Sequence, residues 1–109
     1  MAQFDVHRNK GALRDAIPFV VLVQSAQFDR YRRRVVVPLV RQTASPVGSN
    51  TAGTRLNPVF VVDGLRVVLH PLDTVSVALD RLGERVGTLK PDGQAIADAL
   101  DELLTRSWG

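Results

Sequence analysis

Between Ile17 and His70 the chain is written in short β-branched runs broken by turn-forming residues, and that alternation leaves little room for a helical fold. Ile17 to Gln24 reads Ile-Pro-Phe-Val-Val-Leu-Val-Gln, continuous enough for a strand buried on both faces, with Pro18 confined to its first residues. Arg33 to Val40 repeats the type. Pro38 inside it removes a ladder donor, which predicts an edge strand or a bulge. Pro58 to Asp63, Gly64 and Leu65 to His70 read as a hairpin, because Asp63-Gly64 supplies the two positive-φ positions of a tight two-residue turn.

Phe4 and Val6 alternate with Gln3, Asp5 and His7, the pattern of a half-buried strand with His7 on its polar phase. After Pro71, Val75, Val77 and Leu79 alternate with Thr74, Ser76 and Ala78, and a further short strand is expected around Arg85 to Leu89. Arg41 to Asn57 shows neither period and predicts a loop of about 15 residues. The tail changes period. Ile96, Ala99, Leu100, Leu103 and Leu104 form one apolar stripe on a helix, with Asp92 after Pro91 as its N-cap. Strands followed by one helix predict a mainly β fold with a C-terminal helix: a small barrel-like sheet, residues 1–109 forming a single domain.

The chemistry available to such a fold is narrow. The 109 residues contain no cysteine, which excludes disulfides, a thiol nucleophile and any cysteine-ligated metal. Two histidines, His7 and His70, leave no histidine-rich centre, so neither metal nor cofactor is expected. No apolar run approaches the roughly 20 residues of a membrane span, and the N-terminus lacks a basic and apolar signal region. A cytoplasmic protein without a membrane partner is the expectation.

Three features remain for function. His70 and Asp73, with Arg66 and His7 nearby in type, are an acid–base set for phosphodiester cleavage if they converge; as strand-end residues facing water they do nothing. Arg30-Tyr31-Arg32-Arg33-Arg34 is the densest charge in the chain. It reads either as a phosphate grip with Tyr31 for stacking or as a solvated turn whose arginines pair with Asp29. Trp108 either staples the helix end to the sheet or anchors a partner. The net charge of +3 permits an anionic partner without requiring one.

Several blocks together resemble the CcdB family, the gyrase-poisoning toxins of toxin–antitoxin pairs. Gln3-Phe4-Asp5-Val6 looks like the family's opening strand and Val23-Gln24-Ser25 like its second strand end. Arg33-Arg34-Val35-Val36-Val37-Pro38-Leu39 is similar to its Arg-Arg-x-Val-Ile-Pro-Leu block, and Pro58-Val59 to the start of its central strand. Asp73, Ser76-Val77 and Leu82-Gly83-Glu84-x-Val86 continue in register, and Ser107-Trp108-Gly109 resembles its terminal Phe-Trp-Gly-Ile. Four departures stand out: no isoleucine follows Gly109, Ser107 replaces a bulky Phe, the helix region between Leu89 and Trp108 is about three residues longer than the family's, nearly one turn, and Gln27 takes an apolar position beside the family's gyrase-facing surface.

The resemblance implies an SH3-like, strongly bent antiparallel sheet, the toxin fold shared by CcdB and MazF proteins, assembled as a homodimer. It implies a mechanism without catalysis, in which the dimer binds the gyrase A subunits and traps the DNA-cleaved intermediate. By position Trp108, Gly109 and Ser107 make that contact, the indole stacking on arginines as a cation–π anchor of roughly 1–2 kcal/mol. It also implies neutralisation by an acidic, partly disordered antitoxin at the loops 8–14 and 41–55, where Arg8, Lys10, Arg14, Arg41 and Arg55 are the candidate contacts. No sequence-specific nucleic-acid contact is implied. The alternatives are an endoribonuclease of the related fold and a relic that binds antitoxin only.

Overall fold

The computed structural model describes residues 2–44 and 53–106. Its strands are β1 (Asp5–Asn9), β2 (Phe19–Leu22), β3 (Arg33–Arg41), β4 (Val59–Val62), β5 (Leu65–Leu69), β6 (Val75–Ala78) and β7 (Leu82–Thr88), followed by helix α1 (Gly93–Asp101). They pair antiparallel in one sheet of order β4-β5-β3-β2-β1-β7, with β6 also on β3.

The long strand β3 bends this sheet because it changes partner midway. Arg33 to Val36 pair with β6, whereas Leu39 to Arg41 pair with β5. From β6 the chain turns into β7, which returns to pair with β1, so the sheet curls into a half-barrel. Pro38 lies inside this central strand, not at an edge or bulge. It falls in the gap between the two partners, where no donor is required, and its carbonyl still accepts the His70 N–H at 3.1 Å.

The Asp63-Gly64 turn closes the β4–β5 hairpin at the Val62–Leu65 pair, with φ of 51° and 78°. Both central residues at positive φ define the type I′ turn, whose twist matches that of the strands. Strand β2 is buried on both faces, as its composition requires.

Alternation sorts the side chains. Val6, Phe19, Val21, Val37, Leu39, Val67 and Leu69 share one face with Phe60 and Val62 of the hairpin, and Ile96 and Ala99 of α1 pack onto it, fully buried. On the opposite phase Val20, Leu22 and Val36 form a second cluster with Val77 and Leu82 against it. Asp92 occupies the N-cap position, but its side chain makes no capping bond. Past α1, Glu102–Arg106 wind as a π-helical turn, which adds residues per turn and rotates the apolar stripe. Leu104, expected on the buried stripe, is therefore 73% exposed. No helix among the described residues is long and apolar enough to cross a membrane.

Candidate functional site

Both histidines depart from the expectation that they face water, for they are 6% and 5% exposed. His7 sits where β7 crosses β1, and its Nδ1–H donates to the Gly83 carbonyl at 2.9 Å. The crossing is close: a Cβ on Gly83 would lie 2.7 Å from the Arg8 carbonyl oxygen. The Nε2 of His7 has no hydrogen-bond partner among the described residues. His70 opens the β5–β6 connection, and its Nδ1 lies 3.8 Å from Asp73 Oδ2. Burial lowers its pKa, which the nearby Asp73 carboxylate only partly opposes.

The phosphodiester-cleaving set does not assemble from these groups within one chain. Arg66 and His70 are four residues apart along β5, about 13 Å at strand rise, and the Arg66 Nε–H donates instead to Gln42 Oε1 at 2.9 Å. His7 belongs to β1, which pairs with β2 and β7 and not with β5. Among the described residues no three histidines, cysteines or carboxylates gather to hold a metal ion.

The candidate antitoxin cations fall into separate settings. Arg8 lies over the Phe19 ring and donates to Glu84 at 2.7 Å and to Asp63 at 3.3 Å, so its guanidinium pKa is raised, chiefly by Glu84. Lys10 donates to the Asp80 carbonyl at 3.1 Å, and Asn9, Lys10 and Gly11 border a cleft of about 460 Å³ with Val77, Asp80 and Arg81. The Arg14 side chain bonds the Gly11 carbonyl, and that of Arg41 the Asp15 carbonyl, which brings the two loops together at the end of β3. Arg55 lies near Pro58 and Ala95, apart from these. It bridges the 53–58 segment to α1 through Asp98 at 3.6 Å and to the π-helical turn through Glu102 at 3.5 Å. The remainder of that loop and Ser107, Trp108 and Gly109 lie outside the described residues.

The basic run divides in a way its composition does not reveal. Arg30, Tyr31, Arg32 and Arg33 are exposed, but Arg34 turns inward and its side chain is fully buried. Asp29 Oδ1 accepts from its Nη1 at 2.8 Å, while Nε and Nη2 have no partner among the described residues. The period-2 signal that finds this is present in the sequence: Arg34 shares its phase with Val36, against the exposed Arg33.

Solved structures share this architecture at low sequence identity. An endoribonuclease in complex with its cognate antitoxin, from a mycobacterial species, superposes with a TM-score of 0.75 at 15% identity, covering 100% of this chain and 99% of that one. The Mycobacterium tuberculosis toxin MazF-mt6 gives 0.71 at 16% identity, covering 95% and 99%. A further mycobacterial endoribonuclease gives 0.68 at 18%, covering 100% and 95%. At these identities the likeness concerns the fold. No curated protein matches the sequence significantly. The CcdB protein family does match, over residues 3–106, from the first strand to the π-helical turn. The chain belongs to the CcdB family.

Proposed function

We propose that this chain is the toxin of a toxin–antitoxin pair that poisons DNA gyrase, acting as a cytoplasmic homodimer on the gyrase A subunits and neutralised by a cognate acidic antitoxin. The family match over residues 3–106 carries the reading. In this reading the protein is an inhibitor, not an enzyme. Trp108, with Ser107 and Gly109, is the wedge that stabilises the cleaved-DNA complex, and α1, anchored by Ile96 and Ala99, is the rigid element that presents it.

Arg8, Lys10, Arg14, Arg41 and Arg55 are the proposed antitoxin contacts. Acidic side chains would compete there with Glu84 and Asp63 for Arg8, and with Asp98 and Glu102 for Arg55. Such exposed pairs contribute at most about 1 kcal/mol each, so exchange is easy.

Induced expression in a gyrase-dependent host tests the proposal. Growth arrest relieved by Trp108→Ala and by co-expression of the antitoxin supports it. Arrest that persists in Trp108→Ala and disappears in His70→Ala, with cleavage of cellular RNA, assigns the chain to ribonuclease chemistry instead.

A further inference from the structure

The part of the basic run that stays outside borders a groove. It lies between the turn after β2 and the outer strand β6, and has a volume of about 430 Å³, within the range of ligand-binding clefts, about 300–1,000 Å³. We propose that this groove binds single-stranded DNA without sequence preference, a base stacking on Tyr31 and the phosphates lying along Arg32 and Arg33.

The chemistry of the lining carries the inference. Tyr31 is 55% exposed, and its ring rests 5.9 Å from that of Phe28 at 37°, so a large aromatic face is held out to solvent by a second ring beneath it. Base–aromatic stacking is tolerant of sequence because every base offers a π-face. Val35 adds apolar surface beside the rings. Arg33 is already ordered. Its Nε–H donates to Ser76 Oγ at 2.9 Å and its Nη2–H to the Ser76 carbonyl at 2.6 Å, which lays the guanidinium across β6.

The groove lining holds two guanidinium groups and no carboxylate. Asp29, the acid that precedes the run, directs Oδ1 to Arg34. The side-chain oxygen of Gln24 accepts the Val35 N–H at 2.9 Å. Aromatic face, fixed cation and apolar floor side by side fit a nucleotide chain better than an acidic peptide, which needs the cations but not the stacking surface. The choice of DNA over RNA rests on the gyrase reading; the groove's stacking and charge do not.

Fluorescence anisotropy of the purified protein with labelled oligothymidine tests this without gyrase, so the outcome is separable from that of the toxin assay. The expected result is binding that weakens as salt rises, a loss of roughly tenfold in Tyr31→Ala, near-native affinity in Tyr31→Phe, and a smaller salt slope, by about one, in Arg33→Gln. Circular dichroism of each variant confirms that the fold is retained. The proposal is overturned by any of four results: no salt-dependent binding, Tyr31→Ala binding as the native chain does, a labelled oligoglutamate peptide binding as tightly with the same Tyr31 dependence, or RNA binding in preference to DNA.

Discussion

The two faces of the sheet are built on different terms. The face under α1 is wholly apolar and closed by Phe19, Leu39, Leu69, Ile96 and Ala99. All four buried polar residues among those described, Asp5, His7, Arg34 and His70, lie on the opposite phase of their strands. One side of the molecule is held together by burial, at about 25 cal/mol per Å² of apolar surface. The other combines a smaller apolar cluster, Val20, Leu22 and Val36, with polar groups that must find partners after leaving water, and three of its buried nitrogens find none among the described residues. Packing therefore secures the helix that leads to Trp108, whereas the curled face carries the unresolved electrostatic cost.

The largest effect is expected on the apolar face. Phe19→Ala removes a ring that is 1% exposed and lowers unfolding free energy by about 3–5 kcal/mol, read as a shift of the denaturant midpoint. A loss well under 1 kcal/mol would show that this face is not the principal source of stability.

On the opposite face the sign of the effect is the sharper test. Asp29→Ala strips the carboxylate from a guanidinium whose side chain is 0% exposed, and costs about 1–3 kcal/mol. Arg34→Met removes the buried charge at similar volume and is neutral or stabilising, since a well-packed apolar side chain replaces groups that were desolvated and only partly paired. If Arg34→Met proves as damaging as Asp29→Ala, the guanidinium makes bonds that offset its desolvation and the contrast between the faces fails.

The smallest effect concerns His70. Burial lowers its pKa in the folded chain below the ordinary 6.5, so it resists a proton that the unfolded chain accepts. The stability due to neutral His70 is fully present above that value and is lost as pH falls through it toward the folded pKa. Thermal melts on either side of 6.5 should show native stability falling on acidification more than that of His70→Gln.

This division also marks how far the sequence could be read. The Asp63-Gly64 turn and the doubly buried β2 follow from local pattern, because two adjacent positive-φ positions and a run of Phe-Val-Val-Leu admit few conformations. The burial of His7 and His70 does not follow from it, and for Arg34 the alternation gives only the phase it shares with Val36. Strands β6 and β7 must first curl round to β3 and β1, contacts between residues far apart in the chain, before a polar phase becomes an interior one. Pro38 was misleading for the same reason, since only the exchange of β3's partners makes its missing donor harmless. Arg8 and Arg55 could be named as cations from sequence, but not their engagement by carboxylates of β7, the hairpin turn and α1. Trp108 drew attention as a lone tryptophan beside the terminus, and family resemblance alone gave it a role.

Under the proposed function the chain acts by wedging a complex rather than by turnover. A gyrase-mediated DNA cleavage assay with the purified protein tests it directly, comparing the full chain with one lacking Trp108 and Gly109. Cleaved DNA is expected to accumulate with the full chain and to return to the level of gyrase alone on deletion. Equal accumulation with and without the two residues, or none with either, would contradict it.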